Sequence, residues 1–161
     1  MVVGSYLPIR TEPSVILVNR SDLFTYPNWV KKVLHPELKL LGPSEYDLKE
    51  GVDIWFHPGQ KNANIKTQTV HEHLQEKKIL QQCFGIVDGL AILNKDVEIF
   101  TQLFGAEDKV MLWKSAVESL SGVLFFPFIY INASSQLVIG WLSAGSALST
   151  SFLTPKFKEM A

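Results

Sequence analysis

The residues of this chain best suited to chemistry gather in one short stretch, Trp55-Phe56-His57-Pro58-Gly59-Gln60-Lys61. Two aromatics, a histidine, an amide and a lysine surround a Pro-Gly turn. Such a turn can form one wall of a pocket. Trp55 or Phe56 would be an apolar platform, His57 an acid/base or hydrogen-bonding group, and Gln60 and Lys61 orienting donors. Asp53, with Glu45 and Asp47 upstream, adds carboxylates close enough in sequence to orient His57, the usual partnership of an acid/base site. The plainer reading is an aromatic anchor before an ordinary turn, with His57 capping backbone and the carboxylates solvated. No spacing here selects a reaction, so no catalytic residue is assigned.

Other candidates are weaker. His71 and His73 invite a metal, but residues two apart on a helix diverge by about 200°, and chelating pairs sit at i and i+4. On the helical reading His73 lies on the apolar face and His71 on the polar one, which predicts a half-buried ring and a solvated one, and no metal. Cys83 is the only cysteine. It excludes an intrachain disulfide and a cysteine zinc site, and it suits a reducing, cytoplasmic setting. Its place on an apolar helix face predicts a buried small hydrophobe. The serines between Ser143 and Ser151 form no Gly-x-Ser-x-Gly elbow, and Gly140 and Gly145 belong to no phosphate loop or dinucleotide fingerprint. No cofactor is expected.

The elements that must position these residues follow from the apolar pattern. No charged residue occurs in residues 119–155, although 19% of the chain is charged. Two runs, residues 123–131 (VLFFPFIYI) and 137–142 (LVIGWL), are separated by Asn132-Ala133-Ser134-Ser135-Gln136. A spanning helix needs about 20 apolar residues in a row. The turn-forming break, the β-branched and aromatic flanks and Pro127 argue instead for a hairpin. Residues 109–117 (KVMLWKSAV) precede it as a third strand, so the C-terminal part predicts an antiparallel meander. An edge position or a bulge is expected at Pro127. Unbroken apolarity in residues 123–131 requires cover on both faces.

Six of the eight prolines fall in the first 58 residues, so that part predicts turns and extended pieces. Residues 14–19 (SVILVN) read as a strand, 27–34 as a short helix begun by Pro27, 40–50 as loop and 53–56 as a brief extended piece. Two longer helices follow. One spans residues 67–84. The other begins at Asp88 as N-cap, carries the stripe Leu90, Leu93, Val97, Phe100 and Phe104, and stops at Gly105.

A chain of 161 residues with 47% apolar content fits one domain, 1–161, with its own core. The fold class is α+β: an antiparallel sheet, made of the C-terminal three-stranded meander plus an N-terminal strand, packed against two helices. The net charge is −1 and only Arg10 and Arg20 are arginines, which argues against nucleic acid as a partner. Residues 1–8 have no basic or sustained apolar region of a signal peptide. The charge-free sheet holds more apolar surface than two helices cover, which predicts a homo-oligomer or another protein partner, with Phe126, Phe128, Tyr130 and Trp141 nearest the contact. The expected function is a non-catalytic binding module. Its alternative is a small hydrolase using His57 with Glu45, Asp47 or Asp53.

Overall fold

The computed structural model describes residues 13–158. Residues 1–8, read as lacking a signal peptide, and Arg10 lie outside the described residues. The elements run β1 (Val15–Leu17), β2 (Val30–Val33), β3 (Glu45–Asp47), β4 (Val52–Trp55), α1 (Thr67–Glu76), α2 (Ile86–Leu93), α3 (Val97–Phe104), β5 (Lys109–Met111), β6 (Val117–Ser119), β7 (Leu124–Ile131), β8 (Leu137–Ser143) and β9 (Phe152–Phe157).

The most apolar run of the sequence, β7, lies at the centre of a seven-stranded sheet. Along one edge it pairs antiparallel with β8, from Phe125 opposite Ser143 to Ile131 opposite Leu137. Its other edge is shared. Phe125 meets Val117 of β6, while Ile129 meets Val110 of β5. β2 extends the sheet beyond β6; β9 and then β4 extend it beyond β5, and β5–β9 is the one parallel pair among the described residues.

The sheet is therefore mixed, and wider than the predicted meander. The expected N-terminal strand does form as β1, but it joins β3 in a separate two-stranded sheet. Residues 109–117 do not make one strand. A 3-10 turn, Trp113–Ser115, divides them into β5 and β6. The same break accommodates Pro127 in a central strand. Its carbonyl accepts from Leu112 N at 2.9 Å, so its nitrogen faces the turn, where no ladder donor is needed. Residues 30–33, expected in a helix, form β2 because Val30 and Val33 pair with β6. The residues read as loop contain β3, whose Tyr46 faces Ile16 in the core.

Among the described residues the α-helices are three, and shorter than expected. α1 ends at Glu76, and Lys78 takes a left-handed φ of 60°. Leu80, Cys83 and Phe84 reach the core from a separate turn, so they do not define the α1 face. That face is Thr67, Val70, His71 and Leu74, spaced 3, 4 and 7 from its start. His73 is half-buried as expected, but His71, expected to be solvated, is buried. The second predicted helix is broken at Asp96, which caps α3 by accepting from Glu98 N at 3.0 Å. Asp88 is inside α2, not its cap, and its carboxylate reaches back to Gly85 N. Gly105, with φ 97°, ends α3 as expected.

Both faces of the sheet are covered within one chain. On one side Ile129, Val110 and Leu112 pack with residues of α2 and α3, including Ile92 and Phe100. On the other, Phe126, Met111 and Trp113 pack with Val70 and Leu74 of α1 and with Leu148. Phe126 is fully buried there, so it is not an interface residue. Among the described residues no helix is long and apolar enough to cross a membrane.

Candidate functional site

Trp55 ends β4, and the following turn, Pro58–Asn62, is a single 3-10 segment capped reciprocally by His57 and Gln60. Gly59 N donates to His57 Nδ1 at 2.9 Å, and His57 N donates to Gln60 Oε1 at 2.9 Å. Gln60 is buried, and its Nε2 donates to the carbonyls of Ser149 and Phe152 at 2.8 and 3.0 Å. It acts as a clip between the turn and the start of β9. His73 of α1 stacks on Trp55 with centroids 5.7 Å apart and meets the His57 ring at 4.9 Å. Slight burial, helped by His73, holds His57 below the ordinary histidine value.

The six residues proposed from sequence therefore divide. Trp55 and His57 share a small aromatic cluster with His73. Gln60 is turned inward. Phe56, Lys61 and Asp53 are exposed, and Asp53 lies 4.0 Å from Lys158. Among the described residues no carboxylate is hydrogen-bonded to His57. Glu45 and Asp47 lie on β3, where with Glu50 they border a separate cleft against Phe157 and Lys158.

The strongest electrostatics occur elsewhere. Asp88 is fully buried at the start of α2 and accepts three hydrogen bonds: from Arg20 Nη1 at 3.0 Å, Gly85 N at 2.8 Å and Tyr46 Oη at 2.7 Å. Arg20 also donates to Pro43 O at 2.6 Å. A Cβ at Gly42 would sit 2.5 Å from that guanidinium, and Gly42 has φ 126°, so only glycine fits this loop. Lys114, in the turn between β5 and β6, is 3% exposed and donates to Leu41 O at 2.8 Å. Both cations lie over the Phe157 ring, at 5.8 and 5.6 Å from its centroid. Burial pushes Lys114 down to about 8, against the pull of Asp88. Burial and the Asp88 carboxylate push Tyr46 well above the ordinary phenol value.

Beside Lys114 a recess of about 200 Å³ opens between the residues after β2, the start of α2 and the Trp113–Ser115 turn. His35 borders it and points Nε2 at the Nε2 of His71, 3.1 Å away, so one ring donates and the other accepts. His71 stacks on Trp113 and touches Phe126. Burial, and then His35, lower His71 to about 4. Cys83 is buried, and its thiol is pushed up to about 12 by burial, which makes it inert.

Sequence reasoning missed Arg20, His35, Asp88, Lys114 and Ser115. One signal was readable: Lys114 is a lone cation between Trp113 and Ala116 in an otherwise apolar strand-like run. The others are joined only by the fold, Arg20 and Asp88 being 68 positions apart. No family model, curated protein or solved structure matches the chain.

Proposed function

We propose that the protein is a non-catalytic interaction module that associates with a second copy of itself through β8. The observation that carries this reading is the state of that strand. Among the described residues β8 pairs only with β7, and its seven residues include no charge and no proline. Edge strands normally carry such residues to prevent pairing with other chains.

The direction of its free backbone groups follows from the ladder. Asn132 N bonds Gln136 O and Ala144 N bonds Leu124 O, so the even residues of β8 face β7. Leu137, Ile139 and Trp141 turn their N–H and C=O outward. Ser143 does too, with its carbonyl already taken by Ser146 N. An antiparallel copy centred on Gly140 sets Ile139 opposite Trp141 and Leu137 opposite Ser143. The four side chains are uncharged, so the two-fold arrangement brings no like charges together. Phe128, Tyr130 and Trp141, all part-exposed, flank the seam. The competing hydrolase reading draws no support from the contacts of the His57 ring, which among the described residues are with Gly59, Trp55 and His73.

The test is the mass in solution by light scattering, with Val138→Lys as the variant. Val138 is part-exposed on β8 and belongs to neither core cluster. The wild type is expected to be a dimer and the variant a folded monomer, with the wild type's far-ultraviolet circular dichroism and a melting temperature no longer dependent on protein concentration. A monomeric wild type, or a variant that remains dimeric, ends the proposal.

A further inference from the structure

We infer that the recess beside Lys114 binds a small organic acid, with an apolar body held between Val33 and Ile86 and its carboxylate directed to the lysine side. Four observations support this. First, the charged residues bordering the recess, Lys39 and Lys114, are both basic, and no acidic residue borders it. Second, most of its wall is apolar, with polar groups confined to a few positions such as Ser115 and Tyr26. That is the composition of a small-molecule site. Third, the volume of about 200 Å³ lies below the ~300–1,000 Å³ range of ligand pockets, which suits a compact acid.

The fourth observation concerns unspent charge. Lys114 is buried, and its ammonium carries three N–H donors. Among the described residues its one hydrogen-bond acceptor is Leu41 O, and no carboxylate is within ion-pair distance. Asp88, the buried anion nearby, has both oxygens committed to Arg20, Gly85 and Tyr46. The part-buried Arg20 is paired with Asp88, while the buried Lys114 has no carboxylate partner among the described residues. Buried charges are ordinarily paired and fully hydrogen-bonded, because desolvation otherwise costs several kcal/mol. A carboxylate bound on the side of the recess bordered by Lys39 and Lys114 supplies an anion to these two cations. This site is independent of β8, so its test and that of self-association fail separately.

The experiment titrates the ¹⁵N-labelled full chain with benzoate and hexanoate, and with benzamide and benzylamine as neutral and cationic counterparts. At least one acid is expected to shift the amide signals of Ile86 and Ser115 saturably, benzamide to act more weakly and benzylamine not at all. Lys114→Met is expected to weaken acid binding about tenfold or more. Lys39→Gln, which leaves the buried network intact, is expected to weaken it several-fold and serves if Lys114→Met does not fold. No response to either acid overturns the inference. So does equal binding of acid and amine, or acid binding unaffected by both substitutions.

Discussion

At the residue scale, the chemistry of this chain is concentrated in buried titratable groups. His71 illustrates the consequence. Its native value of about 4 lies below the ordinary 6.5, so between those limits the unfolded chain binds more protons than the folded one. Stability is whole above pH 6.5 and declines as pH falls toward 4, by about 3 kcal/mol from this group alone. His35, also lowered by burial, acts in the same direction. Denaturant unfolding at pH 7, 6, 5 and 4 checks this, and His71→Gln should flatten most of the decline. A wild-type curve level across that interval contradicts the buried pair. His57 was the natural candidate from sequence because it stands beside Trp55 and a Pro-Gly turn. The Trp55 and His57 rings do meet, with centroids 6.2 Å apart. The remaining partner, His73, comes from α1 and is half-buried as expected, whereas His71, expected to be solvated, packs in the core. The misplacement of His71 has a physical source: a helix face is defined by all residues supposed to lie on it, and Leu80, Cys83 and Phe84 lie beyond the end of α1.

Element by element, local patterns were reliable where a single element had to satisfy itself. The β7–β8 hairpin, the short β1 strand, the extended β4 and the Gly105 stop of α3 were all readable. In each, alternation, turn chemistry or a terminating glycine acts within a few residues. Breaks within apolar runs were not readable. Residues 109–117 look continuous, yet Trp113–Ser115 leaves the sheet because Trp113 Nε1 donates to Thr154 Oγ1, Lys114 N donates to Phe84 O, and Ser115 Oγ accepts from Ile86 N. Those partners are distant in sequence. α3 offers a test of a local rule. Asp96→Ala removes its N-cap and should cost about 1 kcal/mol, measured by chemical denaturation. No loss would mean the helix is held by Phe100 and Phe104 alone. Gly140 shows the reverse case, a residue explained only by contacts across strands: an added Cβ would meet Phe128 at 2.7 Å and Tyr130 at 3.0 Å.

For the whole molecule, the decisive fact is that the sheet carries a buried core on both faces from its own chain, while among the described residues β8 pairs on one edge alone. Phe126 measures how much the α1 side contributes. It is fully buried against Trp113 and His71, so Phe126→Ala should destabilise by about 3–5 kcal/mol. A loss under about 1 kcal/mol would show the two-layer cover to be dispensable. The α+β class and the pleated character of the C-terminal third could be determined from sequence alone, because period, branching and turn residues act locally on the backbone. So could the burial of Cys83. What only the tertiary structure decided was where the excess apolar surface goes and which ionisable groups share a dry interior. Both depend on which distant segments pack together, as Arg20 does with Asp88 and His35 with His71, and no local property of the chain encodes that choice.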